Sequence, residues 1–267
     1  MIRLLLVFLF SFSTIDSFGQ WTIVNEVFLK NIDQYDQDQL GNIYLSTENG
    51  DIKKYNDKGS LLAEYSSSAS SKVHQLAAIS QLKVLVFYEN LQEYVILDRY
   101  LRSPARYSIQ EFEIGFVSEI AANFQQNVWV VDRSDFTLKM LDVNRNMIVE
   151  KKSLARILNQ NEAEISSLII HQNRLYLTDA HNKVYIFDSI GNFEMSIVPV
   201  NNGNFQFYQD YTYYVNQDDL ILKNLYNESE TSVELPLQKM EKILFNDQRL
   251  VHFTSNGFVI YKYLSDK

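Results

Sequence analysis

The sequence contains no cysteine. Disulfides, thiolate metal sites and cysteine nucleophiles are therefore excluded, as is a lipid anchor attached through an N-terminal cysteine. Glycine and proline are scarce, eight and three in number, so tight turns must rest mainly on asparagine and aspartate, whose side chains bond their own backbone. Histidine occurs four times and tryptophan twice. Gly-x-Ser-x-Gly, His-Glu-x-x-His and a Walker-type glycine loop are all missing, which removes the common signatures of serine hydrolysis, zinc proteolysis and nucleotide binding. Basic residues are outnumbered: the formal net charge is −9. An acidic surface repels phosphate backbones and anionic lipid, so nucleic acid is not expected as a partner.

Long hydrophobic runs are missing too. The longest, residues 4–12, follows a short basic start at Arg3 and precedes a polar stretch ending in Phe18-Gly19-Gln20. It is far shorter than the ~20 residues that cross a bilayer. Basic, apolar and small-residue regions in that order read as a secretory signal peptide, with cleavage expected after Gly19; a buried N-terminal strand or an uncleaved anchor is the alternative. A small residue followed by Gln resembles the cleavage sites common in Bacteroidetes. The reading is an exported chain with no membrane span after cleavage, periplasmic, outer-membrane associated or extracellular. A chain without disulfides must then be held by its core alone, and residues 20–267 are long enough for that.

What the sequence has is aromatic and repetitive. Phe and Tyr number seventeen each, a composition that suits strands. A unit of alternating strands and Asn- or Asp-containing turns recurs along the chain. The clearest copies are 38–59 and 173–193, a third is 127–142, and weaker ones are 83–98, 211–225 and 248–263. Ile43, Val84, Val128, Leu175, Tyr213 and Leu250 are equivalent anchors spaced near forty residues apart. That period suits a four-stranded propeller blade. A short apolar segment precedes each anchor and reads as the innermost strand. Asn49-Gly50 and Asn256-Gly257 read as hairpin turns whose central residues take positive φ.

The sixth unit stops one strand short, and a spare strand, 21–29, sits at the other end. Pairing it beside 261–264 closes the ring and removes a free edge. The expected fold is all-β: a single six-bladed β-propeller over 20–267, its N-terminal strand closing the last blade. An open sandwich or a two-domain all-β chain is the alternative. Residues 153–162 carry Leu154, Ile157 and Leu158 at helical spacing and read as a short helix between the third and fourth units. The serine run 66–71 reads as a blade-connecting loop.

Asp38, Gly41-Asn42-Ile43-Tyr44 and Gly59 resemble the repeat of NHL and related TolB-like six-bladed propellers, as do Tyr176 to Asp179, Val184 to Asp188 and Gly191. The resemblance covers two units well and a third in part. It implies a blade and not an activity, because the fold hosts binding proteins, hydrolases and lyases.

Candidate chemistry lies in carboxylates and tyrosines. Asp132 and Asp179 end the second strands of consecutive units, and Asp210 ends an inner strand, so these are the candidate ligands for a cation such as Ca²⁺ or Zn²⁺. Propeller lactonases hold a divalent cation with carboxylates from separate blades, but none of their metal motif matches here. The alternative is that these aspartates accept backbone N–H bonds in turns. His74, His171, His181 and His252 form either an inward ring or four unrelated residues. Within the aromatic stretch 205–214, Tyr208, Tyr211 and Tyr213 are candidates for a partner or ligand surface, or simply alternate across a strand. The expectation is a non-catalytic scaffold without a cofactor that binds a protein or ligand in the cell envelope, within a secretion or transport assembly. A metal-assisted lactonase, lyase or sugar-acting enzyme is the alternative.

Overall fold

A computed structural model describes residues 20–67, 71–102, 104–123, 127–160, 163–198 and 206–264. The proposed signal segment, residues 1–19, lies outside the described residues, as do Ser68–Ser70 of the serine run and Phe205 of the aromatic stretch. The chain forms six four-stranded antiparallel sheets. Blades 1 to 5 span 32–65, 75–108, 117–153, 165–197 and 206–234. Blade 6 takes three strands from 243–264, and Gln20–Phe28 supplies its outer strand. This is the six-bladed propeller expected from the period. All six anchors fall on second strands, and the inner strands are Ile32–Gln37, Gln75–Ser80, Val117–Ala122, Ile165–His171, Gln206–Tyr208 and Ile243–Asn246.

Blades stack face against face, so the second and third strands are covered on both sides. This is why Lys83–Tyr88 and Asn127–Asp132 read as almost continuous apolar runs and are buried along most of their length. Outer strands face solvent on one side and alternate, as Met147–Ser153 does. The core is divided among the blade contacts. The contact of blades 3 and 4, around Trp129, Leu138, Leu168 and Leu177, is extensive. That of blades 4 and 5 is thin, centred on Tyr176, Val184 and Ile186.

The closing strand pairs from Gln20 opposite Leu264 to Phe28 opposite Gly257, with one bulge between Ile23 and Asn25. Trp21 meets the Tyr263 ring edge-on at 5.0 Å and donates its indole N–H to the Glu234 carbonyl of blade 5 at 2.7 Å. The closure therefore ties blade 6 to blade 5 as well as to itself. At Gly257 the closing backbone comes so near that a Cβ would lie 1.9 Å from the Val27 carbonyl oxygen.

Two turns and the helix differ from the sequence reading. In the first hairpin only Gly50 has positive φ, and the turn closes from the Gly50 N–H to the Thr47 carbonyl. Glu48-Asn49 are its central residues, and Gly50 follows in the left-handed region. In the last hairpin Thr254 pairs with Gly257, so the central residues are Ser255-Asn256 and neither has positive φ. The helix is confined to Leu154–Leu158, where Asn159 in the left-handed conformation ends it.

Candidate functional site

The strand order fixes two faces. The lower face carries the turns from inner to second strand and from third to outer strand. The upper face carries the second-to-third turns and the connections between blades.

Aspartate and asparagine build most of the lower turns. Asp38 Oδ1 accepts the N–H groups of Leu40 and Asn42 at 2.9 and 3.0 Å, and its Oδ2 accepts Asn42 Nδ2 and the Tyr44 hydroxyl. Asn56, Asp98 and Asp188 repeat the pattern on residues two and four ahead. Each such turn leaves its third residue projecting. Among those tips are Leu40, Tyr100, Ile190 and, in the Asn224 turn, Tyr226. Together with Leu82 in the two-residue turn after Ser80, each is more than half exposed. Leu61, Met147 and Phe193 begin outer strands beside these turns and are exposed as well.

Two clefts open among these residues. One, of about 230 Å³, lies between blades 2 and 3 and is lined by Ile79, Tyr94, Ile96, Tyr107 and Val128, with Lys83 and Asp98 among its polar residues. The other, of about 250 Å³, lies between blades 4 and 5 against Gln172, Arg174, Tyr176, Leu225 and Tyr226.

The central axis is crossed by side chains. Gln75 of blade 2 donates to the Leu168 carbonyl at 3.0 Å and accepts the Ile120 N–H at 3.1 Å, linking blades 2, 3 and 4. Asp36 accepts the Ala78 N–H at 2.7 Å, Gln37 donates to the Phe245 carbonyl, and the Tyr213 hydroxyl accepts the Phe245 N–H at 3.0 Å. Each inner strand is the edge of its sheet, and the backbone groups along that unpaired edge are left for these side chains to satisfy. Loss of hydration pushes the Asp36 carboxyl up to about 6, against the opposing effect of the Ala78 and Gln37 N–H groups.

On the upper face His74 stands between two glutamates, its Nε2 3.1 Å from Glu119 Oε1 and its Nδ1 3.4 Å from Glu89 Oε2. The Glu119 hydrogen bond raises the His74 pKa, and burial raises that of Glu119. With a carboxylate at each ring nitrogen, the geometry suits an imidazolium and leaves neither nitrogen directed at a substrate. The other histidines lie apart. His171 stacks on Phe207 and meets the Gln209 carbonyl at 2.6 Å. The His181 backbone N–H bonds Asp179, and burial lowers the His252 pKa. The four make no inward ring.

The candidate cation ligands divide between the faces. Asp132 is on the upper face, where it accepts Lys139 Nζ at 2.5 Å and the Ser134 N–H. Asp179, also on the upper face, accepts the His181 and Lys183 N–H groups and the Tyr185 hydroxyl. Asp210 is on the lower face and accepts Gln172 Nε2 at 2.6 Å. Among the described residues no group of three or more His, Asp or Glu could hold a metal ion. Of the tyrosines, Tyr208 and Tyr211 flank a lower-face turn and are half-buried, whereas Tyr213 is a buried core residue and lies outside any surface. The exposed turn tips escaped notice in the sequence. Their signal is an apolar residue two positions after the Asp or Asn of a turn, as in Asp38-Gln39-Leu40 and Asp188-Ser189-Ile190.

No protein-family model matches the chain, and no curated protein matches it in sequence. Solved propellers do match in structure. Virginiamycin B lyase from Staphylococcus aureus is 12% identical with a TM-score of 0.56, covering 93% of this chain and 90% of that one. The WD40 domain of Neurospora crassa Pan2 is 10% identical with a TM-score of 0.59, covering 94% and 98%. YCF48 bound to D1 peptide is 9% identical with a TM-score of 0.55, covering 94% and 98%. These likenesses show the fold, which a lyase and peptide-binding or WD40 proteins share.

Proposed function

We propose that this chain is a non-catalytic binding scaffold of the cell envelope and that it docks a protein partner on its lower face. One observation carries the reading: Leu40, Leu82, Tyr100, Ile190 and Tyr226 stand exposed at turn tips of that face. A turn tip has no neighbour to pack against, so an apolar residue there gains nothing on folding and lowers solubility. It gains when a partner covers it, and aromatic tips such as Tyr100 and Tyr226 are the residue type that anchors interfaces. The side-chain bonds across the axis and the two carboxylates around His74 fit a rigid platform better than an open reaction site. The reading needs no cofactor.

Photo-crosslinking tests it. A benzoylphenylalanine introduced at position 40, 100 or 226 should capture the same envelope protein. The same group at Leu91 or Phe116 of the upper face should not. Capture from the upper positions alone would place the partner elsewhere and overturn the reading.

A further inference from the structure

We infer that the protein partner docks through an acidic segment carrying apolar side chains, seated on blades 1 and 2 of the lower face; the inference rests on the docking role proposed for that face. The chain as a whole is acidic, with a formal net charge of −9. This sector is not. Its lower turns and strand ends hold Lys54, Lys58, Lys83, Arg99 and Arg102 against the carboxylates of Asp38, Asp57 and Asp98. All three carboxylates are engaged within the protein. Asp38 accepts the N–H groups of Leu40 and Asn42, together with Asn42 Nδ2 and the Tyr44 hydroxyl. Asp98 Oδ1 accepts the Tyr100 and Arg102 N–H groups at 2.8 Å each, and Asp57 pairs with Arg249 of blade 6. Lys58, Arg99 and Arg102 are exposed, and none of them has a carboxylate partner among the described residues. Across the ring, the lower turns of blade 5 carry Asp210 and Glu228 exposed instead.

The same sector presents Leu40, Leu82 and Tyr100. The Arg99 guanidinium lies over the Tyr100 ring, 4.7 Å from its centre. Lys54 Nζ reaches from blade 1 to the Arg99 carbonyl at 3.0 Å, so this turn is tied to its neighbour blade as well as closed by Asp98. Guanidinium and aromatic ring therefore stand together before a partner arrives, which lowers the ordering cost of binding. A guanidinium takes a carboxylate in its planar fork, and the ring beside it takes an apolar side chain. Acidic and apolar residues in one segment satisfy both.

The test uses the peptide Glu-Asp-Phe-Glu-Leu-Asp-Glu, a second with lysine at every acidic position, and a third with alanine for Phe and Leu. Each is titrated onto the whole chain by calorimetry. The acidic peptide should bind about tenfold more tightly than the lysine peptide, and several-fold more tightly than the alanine peptide. Raising the salt from about 50 to about 300 mM should weaken it several-fold. Arg99→Glu and Arg102→Glu combined should cost about tenfold with an unchanged melting temperature, because both side chains are exposed. Glu228→Gln with Asp247→Asn should bind it as the native chain does. Equal binding of the acidic and lysine peptides, binding that survives the charge reversal, or no binding would overturn the inference. So would co-sedimentation with phosphatidylglycerol vesicles that the reversal abolishes, since the cations would then serve lipid. Capture of the envelope protein from positions 40, 100 and 226 without acidic-peptide binding would leave the docking role standing and sink the acidic assignment alone.

Discussion

At the residue scale, the aspartates divide by what they accept. Asp179 takes two backbone N–H groups and a tyrosine hydroxyl, so its work is to hold a turn. Replacing it with alanine strands those donors and should cost about 1–3 kcal/mol. Asp179→Asn keeps an acceptor for the N–H groups and should cost less than half as much, measured by chemical denaturation. Equal damage from both would mean that the charge, and not the turn, matters. Asp36 behaves differently, because its folded pKa near 6 lies above its unfolded value. The folded state then keeps its proton longer than the unfolded chain, so this group's contribution is present below about pH 4 and is lost as pH rises through about 6. Asp36→Asn should remove that slope, seen as a smaller fall in melting temperature between pH 4 and 6.5 than in the native protein. An unchanged slope would contradict the assignment. The turn role of Asp179 was legible as one of two readings, since an Asx turn is local. The burial of Asp36 was not, because Ala78 comes from the next blade.

At the element scale, the closing strand decides the ring. It was legible because a period near forty leaves blade 6 one strand short and 21–29 over. The precise turn chemistry was less so: Asn-Gly pairs suit two-residue turns, yet Gly50 serves a turn one residue longer. Gly257 shows the packing reason for a glycine that the sequence alone presents as a turn signal. Gly257→Ala puts a methyl group into the Val27 carbonyl and must push the closing strand away. A loss of about 2 kcal/mol or more is expected, or roughly 4–8 °C in melting temperature at this chain length. A chain lacking residues 20–29 should expose the edge of Gly257–Leu264 and self-associate. Adding the 20–29 peptide should return it to a monomer by size-exclusion chromatography. Failure of the peptide to do so would argue that the edge is not what associates.

At the scale of the whole molecule, six blades stand in a ring of unequal seams. Blade 5 contributes few fully buried side chains, and its contact with blade 4 is the smallest of the hydrophobic clusters. Hydrogen exchange should therefore release 206–234 before 117–153 or 165–197, and the opposite order would contradict this ranking. Blade order and strand register follow from a linear period, but the neighbours of a residue across a seam do not. That is why His74 beside Glu119, the Tyr94 cleft and the division of Asp132 and Asp179 from Asp210 became visible only in the folded ring. The same limit hid the lower face, whose apolar tips are far apart in sequence. The docking role of that face is tested most directly by recovery of the partner from envelope extract with two sets of variants. Leu40→Ser, Tyr100→Ser and Tyr226→Ser combined should lose the partner at least tenfold with the fold intact. Leu91→Ser and Phe116→Ser combined should recover it as the native chain does. Retention by the first set and loss by the second would contradict the account.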